Sequence, residues 1–252
     1  MLVAAAVCPC PPLLVPEVAA GAAPELDVAR AACTDAVGVL AAARPDRLIV
    51  VGPAGQSGRG PHPQGARGSF RGFGVDVGVC LGPGACAGPG EGADVRPGQA
   101  EESVERELPP SLAVAGWLLE RTGWSASAVE GLGVGEPLAA ERCIEVGREL
   151  AAQAERVALL VMGDASACRT LKAPGYLDER AAGFDAEVAR ALGAADVTAL
   201  RELDAELAYE LQAAGRAPWQ VLAGAAEDAG LSGALLYDEA PYGVGYLVAA
   251  WS

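Results

Sequence analysis

The chain has 252 residues, a formal charge of −15, a 52% hydrophobic fraction and a single histidine, His62. A negative field of that size repels nucleic acid and anionic membrane, so neither is an expected partner. One imidazole excludes a His-rich zinc site and a two-His-one-carboxylate iron site, and it leaves little from which to build a Ser-His-Asp triad.

The opening MLVAAAVCPCPP stays apolar for about seven residues before proline, which is too short to span a membrane. It also lacks the basic leader of a signal peptide, so it reads as a strand over 2–7 of a cytoplasmic protein. Helical periodicity covers 24–43, and RLIVV at 47–51 reads as a strand buried on both faces, giving a βαβ unit. Residues 53–72, rich in Gly, Pro and Arg, form a long loop that holds His62. A strand is expected at 74–81 and a flexible surface insertion at 82–107. Helices follow at 111–122 and 139–154, then the strand 156–162, RVALLVM, and a loop at 163–179. Helices at 179–192, 197–214 and 219–229 precede closing strands at 233–236 and 245–250. The sum is one α/β domain over 1–252, with a central mixed, mostly parallel sheet and helices on both faces. Cys8, Cys10, Cys33, Cys80, Cys86, Cys143 and Cys168 are scattered, and a reducing compartment keeps most of them as thiols.

Functional groups of such sheets gather in the loops beyond the carboxyl ends of parallel strands. Three loops qualify, CPCPP, GPAGQSGRGPHP and GDASACRTLKAPGYLDE, and the turn YDEAPYGVGY can approach them. The strand running into CPCPPLLVPE, the VVGPAG turn, GDASAC followed by PGYLDERAAGFDAEV, and the closing YDEAPYGVGYLVAAW together resemble the class III extradiol ring-cleavage dioxygenases. Within that superfamily they are most similar to the catalytic-chain-like group, which also contains diverged members that are not dioxygenases. The resemblance spans nearly the whole chain. It implies the fold of that family, a tendency to homodimers, and Fe(II) held by two histidines and a glutamate beside an acid/base histidine.

Carried over one position at a time, the resemblance puts Cys10 at the first iron histidine and Ala54 or Gly55 at the second. Ala167, after Ser166, stands where the acid/base histidine belongs, and Glu239, beside Asp238, matches the carboxylate. His62 lies in a loop long enough to fold back toward a lost position, or it is an exposed loop residue. Either way it cannot fill three roles.

Other groups invite other chemistry. Cys8 and Cys10 are two apart in extended chain and share a side. With Cys168 and Glu239 they make a donor set suited to zinc or copper, or they are small buried hydrophobes. Asp164, Ser166 and Arg169 either present an anion-binding turn or cap local backbone. Ser166 paired with Lys172 would be a nucleophile. Arg67 and Arg71 are a positive stretch that would favour an anionic ligand if they faced the pocket.

The expected pocket therefore draws on Cys10, Ala54, His62, Asp164, Ser166, Ala167, Arg169 and Glu239. The expected function is a diverged extradiol dioxygenase-like protein without iron-dependent ring cleavage, keeping a pocket for a small molecule, with an anionic one as a candidate. The alternatives are a metalloprotein or metal-dependent enzyme with a remodelled Cys/Glu site, a residual ring-cleavage dioxygenase, and a structural or partner-binding protein.

Overall fold

The computed structural model describes residues 1–84 and 106–252. The expected insertion at 82–107 therefore lies almost wholly outside the described residues. The chain forms one α/β domain whose sheet runs in the order β3-β6-β2-β7-β1-β9-β8. Here β1 is Leu2–Cys8, β2 Arg47–Pro53, β3 Gly60–His62, β6 Ala128–Val134, β7 Val157–Met162, β8 Gly233–Glu239 and β9 Tyr246–Trp251. A two-stranded ribbon, β4 (Arg67–Ser69) with β5 (Gly78–Cys80), packs beside it. Strands β6, β2, β7 and β1 are mutually parallel, whereas β3, β9 and β8 pair antiparallel at the two sides.

The central strands are buried on both faces, and their side chains divide by parity. Leu2, Ala5, Val7, Leu159, Val161, Leu247 and Trp251 point to one core. Ala4, Ala6, Cys8, Leu160, Met162, Val248 and Ala250 point to the other. The second core is covered by α2 (Asp27–Ala42), which follows the short α1 (Pro16–Ala19), and by α3 (Pro110–Arg121). The first is covered by α4 (Ala140–Ala151), α5 (Ala181–Gly193), α6 (Val197–Arg201), α7 (Ala205–Glu210) and α8 (Arg216–Ala225). Among the described residues no helix is long and apolar enough to cross a membrane.

Four expectations change. Strand β6, AVEGLGV, is not foreseen, because Gly131 and Gly133 erase its alternation. In the fold those glycines give way to neighbours: a Cβ on Gly133 would stand 2.0 Å from the Gly58 carbonyl oxygen. The 53–72 loop contains β3 and β4, and His62 is a buried strand residue, 2% exposed. The strand expected at 74–81 shortens to Gly78–Cys80. The single helix expected at 197–214 is two, because Asp196 and Asp204 each cap a new helix start by accepting main-chain N–H bonds. The thiols of Cys8, Cys10, Cys33, Cys143 and Cys168 are free, while Cys80 is disulfide-bonded.

Candidate functional site

The connection after β1 runs to α2 on one face of the sheet, and the connection after β7 runs to α5 on the other. Adjacent parallel strands whose chains leave to opposite faces open a crevice beyond their carboxyl ends. Cys10 and Asp164 stand there. The main-chain N–H of Cys10 donates to Asp164 Oδ1 at 2.8 Å, and the Cys10 thiol donates to Oδ2 at 3.8 Å.

Strand register extends this pair into a row. Cys8 pairs with Met162 at the ends of β1 and β7, so Cys10 and Asp164 each follow two residues beyond a strand end, and both act on Tyr246 at the start of β9. Tyr246 in turn pairs with Glu239. Asp164 and Cys10, just past the ends of β7 and β1, thus form one row with the Tyr246–Glu239 pair of β9 and β8. The next row inward is Met162, Cys8, Val248 and Tyr237, so a polar rim closes an apolar sheet face. Cys10 and Tyr246 in the middle are 8% and 2% exposed, whereas Glu239 is open to solvent and Asp164 is partly so.

Burial dominates the electrostatics. It pushes the Asp164 carboxyl from 3.8 to about 6 against the opposing pull of the Cys10 donors. The Cys10 thiol is held well above its usual value by burial, then by the Asp164 charge. Tyr246 is raised by burial and then by Asp164, with smaller effects from Tyr242, Cys10 and Tyr237. The three phenols therefore neighbour one another around the row.

A second polar cluster fixes the 163–169 loop. Asp185, on α5, accepts the Ser166 N–H at 2.8 Å, the Ser166 hydroxyl at 2.9 Å and Arg169 Nη1 at 2.9 Å. Its side chain is 2% exposed, and burial raises its pKa against those donors. The loop is also sewn to the C-terminal turn: Ala165 N–H donates to Gly245 O, Gly245 N–H to Ser166 O and Arg169 N–H to Gly243 O, at 2.8–3.0 Å. Sequence reasoning missed Asp185, although PGYLDERAAGFDAEV contains it; an acidic residue on the apolar stripe of a helix was the available signal. Ser166 is buried with its hydroxyl given to Asp185, and Lys172 is exposed. The geometry makes Ser166 a structural donor rather than a nucleophile. Arg169 is committed to Asp185 and Arg71 to Asp76, so neither arginine supplies a free positive charge to the row.

The remaining candidates do not converge on the row. Ala54 bonds through its N–H to the Val134 carbonyl. Ala167 is buried, its N–H on Leu211 O. His62 Nε2 meets Gly58 O at 2.9 Å on edge strand β3, three strands beyond β7. The residues matched to the iron ligands therefore do not fit ferrous ion: Cys10 is a thiol bonded to a carboxylate, Ala54 or Gly55 offers no donor side chain, Glu239 is the one carboxylate, and none is an imidazole. The thiolate set does not assemble either. Cys8 faces Cys33 of α2, while the Cys168 sulfur lies against the carbonyls of Gly175 and Leu211 in the opposite core. Among the described residues no group of three or more His, Cys, Asp or Glu is placed to hold a metal ion. An open groove of about 640 Å³ lies along α5, α6 and α7, lined by Phe184, Glu187, Arg190, Asp196 and Leu207, and includes none of the row residues.

No family model matches the chain, and no curated protein matches it. The chain is similar to a crystal structure of the uncharacterized protein JW3007 from Escherichia coli K12, with a TM-score of 0.52 at 15% identity over 99% of each chain. At that identity the likeness concerns the fold alone.

Proposed function

We propose that this chain is a diverged member of the class III extradiol dioxygenase superfamily that has left iron-dependent ring cleavage behind. In this reading the Asp164–Cys10–Tyr246–Glu239 crevice binds a small molecule. One observation carries the reading: the positions matched to the iron ligands hold a thiol bonded to Asp164, Ala54 or Gly55, and a solvent-exposed glutamate, and the position matched to the acid/base histidine holds Ala167. Ring cleavage needs an iron with adjacent open positions for catechol and oxygen, and such an iron needs imidazole-type donors. What the crevice offers instead is hydrogen bonding and one carboxyl that exchanges its proton near pH 6. The switch-point location supports retention of a ligand site after the metal chemistry is gone.

The test is oxygen uptake. Protein loaded anaerobically with Fe(II) is mixed with catechol or protocatechuate, and oxygen consumption and ring-opened product are followed. The expected outcome is no iron-dependent uptake above free Fe(II). Turnover that requires bound iron and disappears in Glu239→Ala would overturn the proposal.

A further inference from the structure

The open groove of about 640 Å³ along α5, α6 and α7 lies on the side of the sheet opposite α2 and α3. It shares no residue with the crevice row, so the two sites stand or fall separately. We infer that this groove docks a basic amphipathic segment of another protein. Its floor is apolar. Phe184 of α5 and Leu207 of α7 line it together with Leu203, and the two leucines stay partly open above the core they pack on. Gly183 opens the floor further, because nothing lies within 4 Å of where its Cβ would be.

The rim is acidic. Glu187, Asp196, Glu202 and Asp204 stand around the floor, and Arg190 is the one cation among the lining residues. That arginine is spent: it holds both oxygens of Glu187 at 2.6–3.2 Å and Asp196 Oδ2 at 3.1 Å. Asp204 Oδ1 accepts the N–H groups of Glu206 and Leu207, and Glu202 makes no ion pair among the described residues. Four carboxylates against one guanidinium leave the lining three charges negative. Openness decides the class of ligand. A small-molecule site encloses most of what it binds, and this trough is open along three helices. A protein segment brings its own cover. Apolar side chains on one face of it fill the floor, while flanking lysines or arginines meet Glu187, Glu202 and Asp204, as in a helix laid into a groove. An acidic segment or a nucleic acid would meet like charge there, on a chain of net charge −15.

The experiment uses the full chain and the fluorescence anisotropy of labelled helical peptides of about 14 residues, roughly four turns. The first peptide carries leucine at i, i+3, i+4 and i+7, with lysine and alanine elsewhere. The second has the same composition with the leucines shuffled off that face, and the third has glutamate in place of lysine. The first is expected to bind about tenfold tighter than the second, and the third not at all. Gly183→Trp fills the floor and Glu202→Lys reverses the rim; each is expected to weaken the first peptide about fivefold or more. Both positions are exposed, so neither substitution disturbs the core. Glu120→Lys, on α3 across the sheet, leaves the affinity unchanged, which separates the groove from a general attraction of the acidic surface. Equal affinity for the first two peptides, binding of the third, no binding of any, indifference to both groove substitutions, or an equal loss in Glu120→Lys overturns the inference. Spermine binding as tightly as the first peptide also overturns it, by giving the groove to small polyamines.

Discussion

Ser166 and Asp185 are joined twice, by the serine N–H to Oδ1 at 2.8 Å and by its hydroxyl to Oδ2 at 2.9 Å. Arg169 supplies the third donor, and Gly245 makes room: a Cβ there would stand 2.5 Å from Asp185 Oδ2. One buried carboxylate thus anchors the loop that carries Asp164 and the turn that carries Tyr242. Asp185→Ala strands two Ser166 donors and one arginine, and is expected to cost about 3–5 kcal/mol. Ser166→Ala removes one hydroxyl and leaves the carboxylate two donors, for about 1.5–3 kcal/mol. Urea unfolding of the two variants beside the parent gives both numbers; a loss in Asp185→Ala no larger than in Ser166→Ala would contradict the anchoring role.

Helices α4 and α8 cross at a glycine pair. A Cβ on Gly147 would lie 2.0 Å from Val221 O, and one on Gly224 would lie 2.0 Å from Ile144 O. Glycine inside a helix ordinarily disfavours it by about 1 kcal/mol relative to alanine, so Gly→Ala would normally stabilise. Here main chain meets main chain, and the sign reverses. Gly147→Ala or Gly224→Ala is expected to destabilise by about 2 kcal/mol or more as the helices part. A rise in thermal midpoint for either would show that the crossing is looser than described.

The elements legible in the sequence were those whose pattern is local. RLIVV and RVALLVM announce strands buried on two faces, and CPCPP and GDASAC fall where the crevice forms. What escaped depends on distant partners. β6 hides because Gly131 and Gly133 exist for the close approach of Leu81 and Gly58, which no local pattern records. His62 reads as a loop residue because GRGPHP looks like a turn, yet pairing with Gly131 makes it a strand residue. Asp164 and Cys10 were both singled out, but their bond was not, since it spans 154 positions. The thiolate set failed for a related reason: Cys8 and Cys168 lie on opposite faces of the sheet, a fact set by strand parity and by the path of the loop after β7.

Asp164 makes stability depend on pH in a fixed direction. Its folded pKa of about 6 exceeds the ordinary 3.8, so between those values the folded chain keeps a proton that the unfolded chain has released. Stability therefore falls as pH rises through that window, and the loss is complete above about pH 6. Discounted for the partial exposure of the group, it amounts to about 1–2 kcal/mol. Asp164→Asn keeps an oxygen for the Cys10 N–H without the charge. Its thermal midpoint is expected to exceed the parent's at pH 7.5, with the gap closing near pH 4. A gap that persists at pH 4 would assign the gain to packing instead.

His62 separates structural from functional polarity. Its register runs from Gly131 through Val50 to Leu160, which places it three strand spacings, roughly 14 Å, from β7. No loop movement short of unpairing β3 brings the ring to Cys10. Its Nε2 contact with Gly58 O and its packing against Gly131 make it part of the sheet edge. His62→Ala is accordingly expected to lose about 1–3 kcal/mol of stability. Urea unfolding of the variant beside the parent gives the number, and a stability equal to the parent's would contradict the structural role of the ring at this sheet edge.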